Sequence, residues 1–147
     1  MIRKLLLAST FIILASFAFI SCSKNDAVSP SENILGTWQI TGIQSNYAYD
    51  WDGDGREETD IYSTYSSCDR DIVIIFEEGG YGRISEGCDA PYDNINWQLT
   101  NNRLDIQIPS GDLNLDITQL TRNSMKGNDV VQVDGRSVII TYSLTRR

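Results

Sequence analysis

The sequence predicts an all-β domain, an eight-stranded antiparallel up-and-down meander closing into a small barrel. Three observations predict it. Apolar residues recur with period two from Leu35 onward, short turns containing Gly, Asn or Asp separate the runs, and no long run of period 3.6 follows the first twenty residues. Short links between successive strands favour antiparallel neighbours, and eight such strands can close and so remove their exposed edges.

The first strand is Gly36–Ile43, where Trp38 and Ile40 alternate with Thr37, Gln39 and Thr41. The second, Asp71–Phe76, is continuously apolar from Ile72, as expected of a strand covered on both faces. Tyr81–Ser85 follows across Glu78-Gly79-Gly80, with Glu77-Glu78 read as part of a solvated turn. Asn94–Thr100 and Arg103–Ile108 flank Asn101-Asn102, and Leu113–Leu120 follows Ser110-Gly111. Met125–Val133, in which Lys126-Gly127-Asn128-Asp129 suggests a bulge, joins Ser137–Leu144 at Asp134-Gly135. One helical turn fits Asp60–Ser67. Trp38, Phe76 and Trp97 lie in strand patterns and read as core rather than as a ligand platform.

Ahead of this domain the chain has a different character. Arg3 and Lys4 precede an apolar run from Leu5 to Ile20 that ends in Ser21-Cys22, the pattern of an export signal. The run is too short and interrupted for a permanent span, which needs roughly 20 predominantly apolar residues. A cysteine directly after the small residue resembles the lipobox of bacterial lipoproteins, in which that thiol is acylated; the alternative is an ordinary signal with an incidental cysteine. The division expected is a signal peptide at 1–21, a polar tether at 22–34 and the barrel at 35–147. Ser23 after the lipidated cysteine resembles the pattern sorted to the outer membrane. The chain is therefore expected to be exported and lipid-anchored there, on its periplasmic or cell-surface face.

Charge and composition narrow the function. The formal net charge is −8, and without Arg3 and Lys4 ten basic side chains face twenty acidic ones. So acidic a surface repels nucleic acid and gains nothing from an anionic bilayer, leaving lipid on Cys22 as the attachment. The chain has no histidine, which removes the commonest transition-metal ligand and the base of Ser-His and Cys-His systems. No other pair of groups looks catalytic, so no enzyme is expected.

Two constellations remain. With Cys22 acylated, Cys68 and Cys88 form an even pair for an oxidising compartment. Their midpoint is residue 78, so a hairpin centred there sets them opposite each other, within disulfide range. A structural staple closing that loop is worth ~3 kcal/mol by loop-closure entropy; a redox switch is the other reading, and nothing basic lies beside either cysteine to activate it. The second constellation is Asp50-Trp51-Asp52-Gly53-Asp54-Gly55-Arg56-Glu57-Glu58-Thr59-Asp60. Alternating carboxylates with glycine at the sixth position resemble the first half of a calcium loop. Asp50, Asp52, Asp54, Glu58 and Asp60 are the candidate metal ligands, with the Arg56 carbonyl, and Ca2+ is the candidate structural cofactor. Ile61 stands where the twelfth-position glutamate would be, so Glu58 or Asp60 must close the shell; the alternative is a solvated loop shaped by Asx-turns.

The ordered set Leu35-Gly36-Thr37-Trp38, Asp52-Gly53-Asp54-Gly55, Cys68, Asp71, Phe76, Gly79-Gly80-Tyr81, Cys88, Trp97 and Leu104 resembles the small lipocalin-like lipoproteins of Gram-negative bacteria, over Leu35–Arg147. The resemblance implies an eight-stranded barrel or half-open meander and says little about activity. Two functions are expected from it and from the composition. One is a non-enzymatic binding module for a small apolar or amphipathic ligand at the cell envelope. The alternative is a protein-interaction or inhibitor lipoprotein that turns acidic loops toward a cationic envelope protein.

Overall fold

A computed structural model of the chain describes residues 33–147. The export signal, Cys22 and the tether up to residue 32 lie outside the described residues. Nine strands form one sheet: β1 (Gly36–Tyr49), β2 (Glu58–Asp60), β3 (Ile72–Phe76), β4 (Tyr81–Glu86), β5 (Asp93–Thr100), β6 (Arg103–Gln107), β7 (Leu113–Leu120), β8 (Ser124–Val133) and β9 (Arg136–Arg146). A single helical turn, α1 (Ile61–Thr64), follows β2. The order is β2-β1-β3-β4-β5-β6-β7-β8-β9, and β9 returns to pair with β1. Eight strands thus close the barrel, all antiparallel, and β2 is an addition the sequence did not announce. It pairs only at Gln44↔Asp60 and Tyr49↔Glu58.

β1 is six residues longer than its period-two pattern foretold, because a bulge hides its second half. Ile40 pairs with Leu144 but Gly42 with Ser143, so Thr41 is the extra residue. The bulge shifts the phase: Trp38 and Ile40 face inward before it, and Ile43 and Ser45 are the buried positions after it. A second bulge corrects the expectation for Met125–Val133. The extra residue is Thr118 on the facing strand, since Ile117 pairs with Gly127 and Gln119 with Lys126. Gly127 is glycine for a packing reason, as a Cβ there would lie 2.9 Å from Leu115 Cβ and 3.2 Å from Ile117 Cδ1.

The β3–β4 hairpin also departs from expectation. Ile72 pairs with Glu86 and Phe76 with Gly82, which centres the turn on Gly79 rather than on residue 78. Cys68 and Cys88 are therefore not ladder partners. They meet beyond its end, with Cα atoms 4.9 Å apart and a disulfide between them. The chain before β3 is folded back by Arg70 N–H donating to Ser66 O and Asp71 N–H to Cys68 O, each at 3.1 Å. That turn brings Cys68 to its partner.

The interior is one cluster that includes Ile34, Trp38, Ile74, Phe76, Leu104, Leu115, Met125, Val138 and Leu144. Ile34, at the end of the expected tether, is fully buried, so packing begins one residue early. Val73, on the outer face of β3, is 3% exposed, in keeping with the uninterrupted apolar run.

Candidate functional site

The meander gives the barrel two unlike ends. At the turn end, β3–β4, β5–β6 and β7–β8 are joined by Glu77–Gly80, Asn101–Asn102 and Thr121–Asn123. Trp38 lies beneath them, fully buried, its indole N–H donating to Ile34 O at 2.6 Å. The Arg146 guanidinium covers the Trp38 ring at 4.4 Å and donates to the carbonyls of Asn33, Leu35 and Arg122. A Cβ on Gly36 would strike that guanidinium, which accounts for the glycine two residues before the tryptophan. Trp38 is thus core, as its pattern implied. Trp97 is half-buried, edge-on to Phe76 at 5.4 Å, with its indole N–H toward Tyr81 O at 2.6 Å. Depressions of about 250 Å³ beside Leu99 and Leu120, and about 430 Å³ beside Trp97 and Tyr81, lie on this side.

The loop end is longer, aromatic and acidic. Residues 50–60, 66–70, 86–93, 108–112 and 134–136 hold twelve carboxylates and three arginines. The turn-end segments 77–80, 101–103, 121–123 and 145–147 hold two carboxylates and four arginines. Tyr47, Trp51, Tyr62, Tyr65 and Tyr142 pack, partly buried, against the core toward the loop end. α1 is fastened there by the Tyr62 hydroxyl, 3.0 Å from Ile40 O and 3.1 Å from Arg70 O, and by Arg70, which donates to Ser63 O and Tyr65 O. The Cys68–Cys88 bond ties the link after α1 to the link between β4 and β5.

Toward the loop end the lumen face changes chemistry. In β8, Met125 and Gly127 face inward and are buried, so Asp129 shares their face, before Val131. Tyr142 lies across from Gly127, on the same face as the buried Ile140 and Leu144 of β9. Burial, then Asp129, then Tyr65 push the Tyr142 phenol up to about 12. Tyr65 is likewise raised, by burial first and then by Glu86 and Asp69. Asp129 and Tyr65 thus act on Tyr142, and Glu86 and Asp69 on Tyr65. Among the described residues neither phenol has a hydrogen-bond partner for its hydroxyl. Sequence reasoning passed over Tyr65, Glu86, Asp129 and Tyr142; the available signal was Asp129, a carboxylate in phase with Met125, Gly127 and Val131.

The acidic loop between β1 and β2 brings Asp50, Asp52, Asp54 and Glu58 together, one carboxylate oxygen of each lying within 4.8 Å of the others. Backbone amides hold them: Gly55 N–H donates to Asp50 Oδ2, Asp54 N–H to Asp52 Oδ1, Arg56 N–H to Asp54 Oδ1 and Trp51 N–H to Glu58 Oε1. Each carboxylate keeps its second oxygen. Gly55, at φ 88, supplies the left-handed residue the turn requires. Asp50 Oδ1 is buried and has no hydrogen-bond partner, a position that a cation would satisfy. The donor set, carboxylates on a turn, suits a hard divalent ion. Asp60 does not join it. It lies outside the convergent group, and its carboxylate instead caps α1, accepting from Ser63 N–H at 3.2 Å.

A family model described as a lipocalin-like domain matches residues 34–127, from the first buried residue to the middle of β8. No curated protein matches the chain.

Proposed function

The chain belongs to the lipocalin-like domain family, and from that premise we propose that it is a non-enzymatic binding module taking a small apolar or amphipathic ligand at the loop end of its barrel. The observation that carries this reading is the set of partly buried aromatic side chains, Tyr47, Trp51, Tyr62, Tyr65 and Tyr142, that pack against the core toward the loop end. Eight strands enclose a space that side chains just fill or that admits one small ligand. Native mass spectrometry of the full chain taken from its own envelope should find a non-covalent small-molecule adduct. Bare protein, together with no binding of a short alkanol, contradicts the reading.

Attachment through acylated Cys22, to the outer membrane, completes the proposal. Residues 33–35 join the barrel at the turn end, so an anchored chain would hold its loop end away from the bilayer. Cys22→Ser should move the protein from the membrane to the soluble fraction. A variant that stays membrane-bound and unprocessed means instead that the apolar segment is a true anchor helix.

The charge difference between the ends favours a second reading, in which the loop end docks a cationic envelope protein. Such a complex would dissociate steeply with salt, whereas an apolar ligand would not.

We also propose that Asp50, Asp52, Asp54 and Glu58 hold a structural calcium ion. The orphaned Asp50 Oδ1 supports it. Calcium would neutralise the cluster and order the β1–β2 link, with affinity in the ~10⁻⁴–10⁻³ M range of extracellular modules. Calorimetry of the full chain should register calcium binding, and no heat at millimolar calcium would contradict it.

A further inference from the structure

We propose that the depression beside Tyr81 and Trp97 is a second binding site, separate from the loop-end one, and that its ligand is a short uncharged oligosaccharide stacked on the Tyr81 ring.

The depression, of about 430 Å³, lies where β5 outruns β4. Tyr81 pairs with Asn96, and β5 continues through Trp97, Gln98 and Leu99 with no β4 partner. The Glu77–Gly80 turn lies against this edge, so close that a Cβ on Gly80 would come within 2.9 Å of Trp97 O. Gly79 and Gly80 line the space without filling it. The Trp97 indole fixes the frame, its N–H directed to Tyr81 O at 2.6 Å and Glu77 O at 3.2 Å, while Glu77 N–H donates to Tyr81 O at 2.8 Å. A site held in this way needs little ordering when a ligand arrives.

The lining selects the ligand. No Asp, Glu, Lys or Arg lines the depression. Charges on flanking residues are paired off, Arg83 with Glu77 at 2.8 Å and Arg103 with Asp105 at 3.0 Å; Glu78 is left, and it disfavours an anion. Tyr81 is 65% exposed, and Arg83 lies over Tyr92 instead. Asn96 and Gln98 alternate on the outer face of β5, and Gln107 of β6 lies across from Asn96. Among the described residues the Tyr81 hydroxyl and these three side-chain amides have no hydrogen-bond partner, whereas Gln39, Gln119 and Gln132 spend their amides on neighbours. An amide donates and accepts at once, which matches adjacent sugar hydroxyls, and an exposed tyrosine ring covers the apolar C–H face of a pyranose. An apolar ligand would need an enclosure that this open depression does not give. An extended peptide added to the β5 edge would meet Gly80, which already stands there. With strands ~4.8 Å apart, the row Tyr81, Asn96, Gln107 spans ~10 Å, room for about two sugar rings.

Neutral trisaccharides of glucose, galactose, mannose and N-acetylglucosamine test this, titrated by NMR into the full chain in a non-ionic detergent without a sugar headgroup. Trigalacturonate and the glucosamine trimer are the charged counterparts. At least one neutral trimer should bind, shift the amides of Gly79, Gly80 and Asn96–Leu99, and bind more tightly than either charged one. An N-acetylglucosamine binder points to cell-wall glycan and a plain hexose to polysaccharide from outside; both support the inference. Tyr81→Ala should weaken binding at least tenfold and Asn96→Ala with Gln98→Ala severalfold, while Tyr92→Ala, an exposed tyrosine outside the depression, should leave it unchanged. No neutral trimer bound at ~10 mM, where even a millimolar site fills, overturns the inference. So does a charged trimer bound as tightly as the neutral ones, or binding that survives Tyr81→Ala. Should Tyr81→Ala lower the melting temperature, the wild-type shifts decide, and shifts gathered away from the depression overturn it. The loop-end reading stands or falls separately.

Discussion

The two ends of this barrel solve opposite problems with the same strands. At the turn end the buried polar groups around Trp38 have partners: the Trp38 indole reaches Ile34 O, and Arg146 satisfies the carbonyls of Asn33, Leu35 and Arg122. At the loop end, among the described residues, Asp50 Oδ1 is buried without a hydrogen-bond partner. A fold held together at one end can leave the other unsatisfied, and unsatisfied groups are what a ligand can engage. The difference teaches where to look for stability and where for binding.

The sharpest way to break the comparison is at Trp38. Trp38→Ala empties the turn end and leaves Arg146 over a void, so it should lower unfolding free energy by ~3–5 kcal/mol in urea titration. A loss below about 1 kcal/mol would mean that the turn end is not the stable one. Cys68→Ser with Cys88→Ser is expected next, at ~3 kcal/mol, with the loosening confined to the loop end; amide exchange should accelerate in residues 61–71 and 87–92 and stay slow at Trp38. Third comes calcium. Binding the native but not the unfolded chain, calcium at 100 times its dissociation constant adds ~2.7 kcal/mol. Melts in millimolar calcium and in chelator should therefore separate, and Asp52→Asn with Asp54→Asn should merge them.

The smallest effect is an alkaline one. Folding raises the Tyr142 phenol from 10.0 to about 12, because burial opposes the phenolate and Asp129 adds to it. Between those values the unfolded chain has released the proton and the native chain keeps it. Stability from this group is thus full below pH 10 and falls as pH rises toward 12. Tyr142→Phe should flatten that limb of the stability-pH curve. An unchanged limb would place the phenol in water.

Much of the fold was legible because burial alternates with the pleat. Six of the eight barrel strands left a period-two or continuous apolar run, and four of the turns between strands carried Gly or Asn residues that marked them. What escaped did so for local reasons. Thr41 bulges and reverses the phase, so Ser45 to Tyr49 read as loop. β2 has only Glu58, Thr59 and Asp60, with no apolar face to betray it. Cys68 meets Cys88 through a turn rather than a ladder, so the pair was readable from its count while the register built on it was one residue off centre. In the acidic loop, four of five expected ligands converge because Asx-turn bonds follow from the alternation itself. Asp60 lies outside the group and caps α1 instead, a placement that spacing alone does not reveal. Tyr65 and Tyr142 lie 77 residues apart and come together only through barrel closure.

The central claim, that binding belongs to the loop end, is tested most directly by amide chemical-shift mapping of the full chain with hexanol, a neutral ligand that charge cannot steer. Shifts should gather in Ile43–Tyr49, residues 61–65 and residues 129–142, and be absent from residues 33–38 and 121–124. Shifts gathered instead around Leu99, Asn102 and Leu120, or around Trp97 and Tyr81, would put the binding site in the turn-end depressions and contradict the account.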